Sequence, residues 1–301
     1  MGEKLFGRNC RVTAYRPTGG APGGFIAANP NFFAPQPNGI QLTDPLRIVC
    51  TIDKSIDSEP NTCELKINNL SDQSRTFFAQ RPLSLNIEAG YDGTLRQVFF
   101  GDMRWSDSTL ERPNWTTEIQ IADGDRAFRY ARVSRSYKKG SSVATAIKEA
   151  AASMGLVVDA KLLASPDLQT QFASGHMLQG ESREELTRLL APYGYRWSIQ
   201  NGRMQILKDT QANEMQAWFI QTGKSGTGVI GTPSQGPPDK TGKAQPLKIK
   251  MLLYPELTPG GKIQLASDKY NGIFRLEKVK HTFGTAGDDD WFTEVEAKPI
   301  T

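Results

Sequence analysis

The sequence predicts a mainly β protein in which two β regions flank a small α+β module. Short strands that alternate apolar and polar residues, with turn residues between them, occupy the first and last parts of the 301-residue chain. In the middle, apolar residues recur at three and four positions, which is the spacing of a helix. We therefore predict three domains, over residues 1–130, 131–210 and 211–301.

The first β region has its most regular strand after residue 61. One face of this strand carries Cys63, Leu65 and Ile67, and the other carries Glu64, Lys66 and Asn68. An Asn-Leu-Ser corner at residues 69–71 ends the strand, because such side chains bond the local backbone. Ser71 or Asp72 then caps a short helical turn. Further strands are predicted near residues 10–15, 46–52, 83–91, 97–103 and 115–124, a pattern typical of a barrel or sandwich.

The module is predicted to contain two helices. The first begins after Ser141-Ser142, which can cap it, and ends at Gly155. The second covers residues 182–190 and ends near Pro192. Its adjacent carboxylates, Glu184-Glu185, are interpreted as the solvated face of the helix and not as a catalytic pair.

A hairpin follows the second helix. Residues 195–199 and 203–207 alternate around an Asn201-Gly202 turn, which is a strong hairpin signal. Trp197 and Ile199 share a face with Tyr195, so we predict that they are buried against Leu186 and Leu189 of the second helix. After a segment rich in Gly and Pro, the second β region has predicted strands near residues 247–253, 260–266, 273–281 and 291–297.

Composition excludes several classes of site. The three cysteines, Cys10, Cys50 and Cys63, form no CxxC pair and are interpreted as small apolar residues in strands. The two histidines, His176 and His281, are far apart in sequence, which argues against a zinc site or a catalytic triad. The net charge of +4 is too mild to indicate nucleic-acid binding.

Three local patterns imitate functional motifs. Residues 226–231 spell GxGxxG, but Thr232-Pro233 follows where a dinucleotide site requires a helix, so we predict a loop. Asp288-Asp289-Asp290 lacks the alternate spacing of a calcium loop and is interpreted as a solvated turn. A basic run over residues 126–139 is interpreted as a solvated or interface edge in preference to a DNA contact. The sequence therefore predicts no catalytic, cofactor-binding or metal-binding residues, no cofactor, and a protein that is not an enzyme.

An arm rich in Gly, Pro and Asn is predicted at residues 16–38. Its composition gives it neither a ladder nor a helix of its own, yet it holds the apolar residues Phe25, Ile26, Phe32 and Phe33. Segments of this kind order on a partner, where aromatic side chains fill pockets. We therefore expect these four residues to form an interface. No apolar run approaches the ~20 residues that span a bilayer, and no signal peptide is evident, so we expect assembly in a cytoplasm.

These motifs, taken in order, resemble the baseplate hub proteins of contractile phage tails, the late-control protein D or tail hub family. In that family a strand ending Ile-x-Asn-Leu-Ser belongs to the first tube-like barrel, and Ile67 to Ser71 fits this pattern. Similar segments follow along nearly the whole chain, at residues 89–103, 137–156, 227–233, 252–260, 271–281 and the strand at Trp291. The long loop at residues 16–38 departs from the family's compact pattern.

The resemblance implies two tube-like β-barrels flanking the α+β module. It further implies a homotrimer whose six barrels form a ring that joins the hexameric tail tube to the trimeric spike in the virion baseplate. The tube protein, the spike protein and other baseplate proteins would be partners, and DNA would pass transiently through the ring. The lining is expected to be polar and not strongly basic, because DNA must pass without being held. Two alternatives remain open: a tail-associated peptidoglycan hydrolase and a cell-surface-binding β module.

Overall fold

The computed structural model describes residues 7–16, 39–223, 226–238, 240, 242 and 244–300. The protein is mostly β with one α+β module, as the sequence predicts. The arm residues Phe25, Ile26, Phe32 and Phe33 lie outside the described residues. The first β region contains β1 Arg8–Tyr15, β2 Gly39–Leu42, β3 Ile48–Ser55, β4 Thr62–Asn68, α1 Asp72–Phe78, β5 Ser84–Tyr91, β6 Thr94–Glu111 and β7 Asn114–Ala122.

Strand β4, the corner after it and the cap of α1 form as the sequence predicts. Cys63, Leu65 and Ile67 are buried on one face of β4. The corner that follows uses a left-handed residue, Asn69, at φ 58°. Ser71 then caps α1 by accepting a hydrogen bond from the amide of Ser74.

The α+β module follows β7. Its elements are α2 Asp125–Tyr130, β8 Arg132–Tyr137, α3 Val143–Ser153, α4 Ala160–Leu163, β9 His176–Glu181, α5 Ser182–Leu190, β10 Tyr195–Gln200 and β11 Arg203–Lys208. Strands β8 and β9 form one antiparallel pair, and β10 and β11 form another. Ser142 caps α3, and Gly155 follows its end at φ 72°. The tip of the β10–β11 hairpin, Asn201-Gly202, has both residues left-handed.

The burial of the hairpin is confirmed. Trp197 is 1% exposed and lies in the same apolar cluster as Leu186, Leu189 and Ile199. The indole ring also stacks on Phe128 of α2, with ring centroids 5.3 Å apart. The module therefore has its own core, built from α2, α3, α5 and the β10–β11 hairpin.

The second β region completes the large sheet. Its strands are β12 Trp218–Gln221, β13 Ser234–Gln235, β14 Leu247–Leu252, β15 Lys262–Ala266, β16 Asn271–Gly284 and β17 Trp291–Pro299. Among the described residues, the strands outside the module form one 13-stranded sheet. Its main path runs β13-β14-β17-β16-β3-β4-β7-β6-β5-β1-β2, with β12 and β15 attached beside β16. The two β regions are thus neighbours in a single sheet.

Pairing between β3 and β16 joins the two regions. It runs antiparallel from Ser55 opposite Lys278 to Val49 opposite Gly284. Within the described residues the path stays open, so the expected tube-like barrels are the two ends of one continuous sheet. Each end has its own apolar cluster: one holds buried residues from β1 to β7 together with Leu253, Phe283 and Trp291, and the other holds buried residues of β12 and of β14 to β17. The domain boundaries at 130 and 210 stay predictions.

Candidate functional site: a charged face on the continuous sheet

One face of the sheet is lined with charged side chains across the junction of the two β regions. Directly opposed residues in antiparallel strands point to the same face, so the pairing register shows which side chains are neighbours. Lys250, Glu294, Lys280 and Asp53 lie in one row across β14, β17, β16 and β3. Lys and carboxylate groups therefore alternate from strand to strand.

A parallel row repeats this alternation. Lys248 opposes Glu296 on β17, and Glu296 opposes Lys278 on β16. The Lys248 Nζ lies 3.5 Å from the Glu296 carboxylate, and the Lys250 Nζ lies 3.6 Å from the Glu294 carboxylate. Exposed pairs of this kind are worth about 0–1 kcal/mol each, so stability alone does not account for the pattern.

The face continues onto the first β region. Lys66 on β4 opposes Glu118 on β7, with 2.6 Å between Nζ and a carboxylate oxygen, and Asp107 on β6 opposes Glu118 in turn. We name as the charged face the residues Asp53, Glu64, Lys66, Asp107, Glu118, Lys248, Lys250, Lys278, Lys280, Glu294 and Glu296. Its five lysines face six carboxylates. A protein with a net charge of +4 thus presents a nearly neutral polar surface here.

A groove of about 720 Å³ lies over the charged face where the two β regions meet. Its floor is formed by β3, β14, β16 and β17. Residues 57 and 59–61 of the β3–β4 connection, with Thr62 of β4, line one part of it, and residues Ile230, Thr232 and Ser234 line another. The β3–β4 connection also contacts the module, so the groove borders the place where the module meets the sheet.

Buried polar groups fasten the hairpin tip of the module to this border. The Asp123 carboxylate accepts hydrogen bonds from the backbone amides of Asn201 (2.5 Å) and Gly202 (2.8 Å). The Lys54 ammonium donates to the Asn201 side-chain oxygen at 2.9 Å and to the Val98 carbonyl. Burial raises the pKa of Asp123 and lowers that of Lys54. Asn201 therefore links a buried cation to a buried carboxylate.

The β3–β4 connection makes further contacts with the same hairpin. The Asn61 side-chain amide donates to the Ile199 carbonyl at 2.7 Å, and its oxygen accepts from the Ser55 amide at 2.9 Å. The Ser58 hydroxyl donates to the Trp197 carbonyl at 2.8 Å. These contacts, with those of Lys54 and Asp123, form what we call the first fastener.

A second fastener holds the module to β16. Arg275 donates to the carbonyls of Lys208 (2.9 Å) and Gln211 (2.8 Å) and pairs with Glu277. Arg196 of β10 lies 3.5 Å from the Glu277 carboxylate. Burial acts to raise the pKa of Glu277, but bonds from Arg275 and Lys298 outweigh it and hold the pKa below its usual value.

Sequence reasoning missed the buried polar residues Lys54, Asp123 and His281. His281 is fully buried on β16, where its Nδ1 lies 2.9 Å from the Thr293 hydroxyl. Burial, with a smaller contribution from Lys54, lowers the pKa of His281 to about 3. A signal for Lys54 was present, because it continues the inward alternation of Cys50 and Ile52.

The two adjacent carboxylates of α5 and the two predicted loop segments differ in how they match the sequence predictions. Glu184 is exposed, but Glu185 is only 3% exposed and bonds to Arg188, so the expectation of a solvated pair is wrong for Glu185. The helix turns Glu185 inward, onto the face that carries Leu186 and Leu189. Residues 226–231 form a loop and residues 288–290 a turn, as predicted. The loop contacts the sheet at an isolated bridge between Val229 and Met251 and through hydrogen bonds between Thr227 and Gln221 of β12.

The cysteines behave as small apolar residues. All three are free and buried, and the Cys50 and Cys63 sulfurs lie 3.5 Å apart. Burial raises the pKa of Cys10 to about 12 and raises that of Cys50, which keeps both thiols protonated. Among the described residues, no cluster of three His, Cys, Asp or Glu side chains is placed to hold a metal ion.

The basic run at residues 126–139 is largely neutralised. Each of its four arginines faces a carboxylate: Arg126 with Asp102, Arg129 with Asp125, Arg132 with Glu181 and Arg135 with Glu149, at 2.8–3.5 Å. Cations paired in this way leave little free charge for a phosphate backbone. In the part of the chain that the structure describes, no helix has the length and apolar character needed to cross a membrane.

The fold is similar to that of phage tail proteins. A 43 kDa tail protein of prophage MuSo2 from Shewanella oneidensis aligns with a TM-score of 0.60 at 8% identity, over 86% of this chain and 94% of that chain. A tail protein from Neisseria meningitidis MC58 aligns with a TM-score of 0.59 at 12% identity, over 98% of this chain and 97% of that chain. No protein-family model matches the sequence, and no curated protein matches it at a significant level.

The fold also occurs in a chain of the Francisella PdpA–VgrG complex. The alignment has a TM-score of 0.62 at 9% identity and covers 99% of this chain. It covers 53% of that chain, so the present sequence spans about half of its length. At these identities the likeness shows the shared fold.

Proposed function

We propose that this protein is a structural baseplate hub of a contractile phage tail, located in the virion and assembled in the host cytoplasm. Three copies would form a ring that adapts the hexameric tail tube to the trimeric spike, in contact with other baseplate proteins. The fold shared with two phage tail proteins supports a structural role in a tail. Two β regions in each chain would let three chains present six faces to the tube.

The charged face is the observation that carries the proposal. It spans both β regions, and its lysines are balanced by carboxylates on neighbouring strands. DNA affinity depends on unpaired cations that release counterions from phosphates. A nearly neutral polar lining of this kind would let DNA pass through the ring without holding it.

Electron micrographs of tail particles would test the assembly. We expect three copies in a closed ring near the tail tip, between the tube and the spike. Six copies, or density along the tail shaft, would contradict the adaptor role. Either result is independent of any enzymatic activity.

The proposed role of the charged face as the lining of the DNA passage can be tested on the purified protein. Replacing Asp53, Glu294 and Glu296 with their amides leaves Lys248, Lys250, Lys278 and Lys280 without partners. We expect this triple variant to bind double-stranded DNA with a steep salt dependence, whereas the unchanged protein binds weakly. A control with the exposed residues Glu184, Asp72 and Asp288 replaced by amides carries the same charge change away from the face. Equal DNA binding by both triple variants would contradict a specific role of the charged face.

The arm at residues 16–38 is proposed to dock on a neighbouring hub subunit or tail protein through Phe25, Ile26, Phe32 and Phe33. Deleting the arm should leave the isolated chain folded and weaken assembly. Hydrogen exchange on the isolated chain provides the check. Strong protection of residues 25–33 would indicate that the arm packs on its own domain, contrary to the proposal.

A further inference from the structure

We propose that the α+β module, residues 125–208, can undock from the sheet as a folded body, and that its docking sets the position of one wall of the groove over the charged face. The contacts of the first fastener hold the module in its docked position, and in this role we call them the latch.

The module carries its own core. Its buried apolar residues form a cluster that is separate from the two clusters of the sheet. Trp197 is buried in this cluster, stacks on Phe128 and donates its indole N–H to the Thr187 hydroxyl at 2.9 Å. These contacts all lie within the module and need no residue of the sheet. The core can therefore stay packed when the fasteners open.

The hydrogen bonds and ion pairs described between module and sheet lie at the two fasteners and at α2, where Arg126 pairs with Asp102 and Asp125 with Arg104 of β6. At the first fastener, Asp123 holds two backbone amides of the hairpin tip, and Asn61 and Ser58 hold two of its carbonyls. At the second, the Arg275 guanidinium holds the carbonyls of Lys208 and Gln211. Water can replace such bonds when they open, whereas it cannot replace apolar contacts. Polar contacts between domains are therefore typical of parts that move relative to each other.

The chain also provides a pivot at the latch. It leaves the sheet at Asp123 and enters α2 through Gly124, which has a left-handed φ of 72°. A side chain at this position would be strained, and glycine accepts the conformation without cost. The same short segment thus supplies the latch carboxylate and the turn about which the module would rotate.

The latch is coupled to the groove through the β3–β4 connection. Asp57 and Asn61 line the groove and also bond to the module, Asp57 to Arg196 at 3.2 Å and Asn61 to the Ile199 carbonyl. While the module is docked, its bonds to Asp57 and Asn61 hold this wall of the groove in place. When the latch opens, the wall loses these bonds, so the shape of the groove becomes dependent on the module.

Hydrogen exchange of the full chain, followed by mass spectrometry, tests the inference. In Asp123→Ala we expect exchange to rise on the order of tenfold or more at residues 56–61 and 199–202, because two amide bonds to the carboxylate are lost. Amides of α3, α5, β16 and β17 should keep their protection. The matched control is Lys66→Ala, which removes an ion pair of the sheet far from the latch and should leave both segments unchanged.

Two results would overturn the inference. Equal loss of protection in the module, the sheet and the latch would mean that they open as one cooperative unit. Unchanged exchange at residues 56–61 would mean that the module does not hold the wall. If Asp123→Ala fails to fold, Ser58→Ala removes a single bond to the hairpin, and the same two outcomes decide the matter at a smaller amplitude.

Discussion

The charged face and the first fastener use the same kinds of residue in opposite surroundings. On the charged face, Lys250 and Glu294 are about 40% exposed, and water screens their interaction. In the first fastener, Lys54 and Asp123 are 3% and 0% exposed, and each is bonded to the hairpin tip. Charge on this protein therefore has two uses. Exposed pairs set the character of a surface, and buried groups set the position of a domain.

This contrast predicts different responses to substitution. Removing a buried polar group leaves its former partners without hydrogen bonds, which lowers the free energy of unfolding. Removing an exposed charge leaves its partner in water, which costs little. A substitution that leaves a cavity in the apolar core of the module should lower the free energy of unfolding more than either of these changes.

The largest effect is expected for Trp197→Ala in that core. The substitution leaves a large cavity beside Phe128 and Leu186, and it should lower the free energy of unfolding by ~3–5 kcal/mol. Chemical denaturation measures this directly, with Phe219→Ala, at a half-exposed aromatic residue, as the control. A change of less than about 1 kcal/mol for Trp197→Ala would contradict a packed core.

A pH effect of intermediate size is expected from His281. Its pKa is near 3 when folded, against 6.5 for the ordinary side chain, so the unfolded chain binds the proton more strongly. Stability should therefore fall as pH drops below about 6.5, by roughly 2–2.5 kcal/mol between about pH 7 and about pH 4.5. Denaturation midpoints measured across this range, with His281→Gln for comparison, give the difference. Parallel curves for the two proteins would show that His281 is not responsible.

Asn61→Ala should have a smaller effect that is confined to the fastener. The substitution leaves the Ser55 amide and the Ile199 carbonyl without their partner, at a cost of about 1–3 kcal/mol. The measurement is equilibrium unfolding, and the control is Asn114→Ala at the exposed tip of β6–β7. Equal effects of the two substitutions would remove the distinction between buried and exposed polar groups.

The smallest effect is expected on the charged face itself. A double-mutant cycle on Lys66→Ala and Glu118→Ala should give a coupling of about 0–1 kcal/mol, lower still at high salt. A coupling above about 2 kcal/mol would mean that the face serves stability after all. The same variants should nevertheless alter the surface charge.

Patterns within single strands and helices could be predicted from the sequence, and long-range relations could not. The alternation of Cys63, Leu65 and Ile67 and the cap at Ser142 depend on neighbouring residues, so they could be predicted. The pairing of β3 with β16 depends on residues more than 200 positions apart, and neither strand carries a mark for the other. The charged face could not be found either, because it also depends on the pairing of β14 with β17 and of β4 with β7, which brings distant residues together.

The fasteners were missed for a related reason. Asp123 and Asn201-Gly202 each look like ordinary turn residues in the sequence, and only the fold brings them within 2.5–2.8 Å. Glu185 was misplaced because adjacent acidic residues on a helix suggest a solvated face, whereas its position four residues before Leu189 places it on the inward face. Burial of a polar residue therefore has to be predicted from helical position as well as from residue type.

The junction of β3 with β16 also governs the order in which the chain can fold. Residues 49–55 find their partner strand only when residues 278–284 have left the ribosome. Until then one edge of β3 offers unpaired amides and carbonyls, which other extended chains can bind. Contacts of such long sequence separation slow folding, because a long loop must close before they form. Newly made chains should therefore be prone to aggregate until residues 278–284 are available, and a chain truncated before residue 271 should keep that edge open.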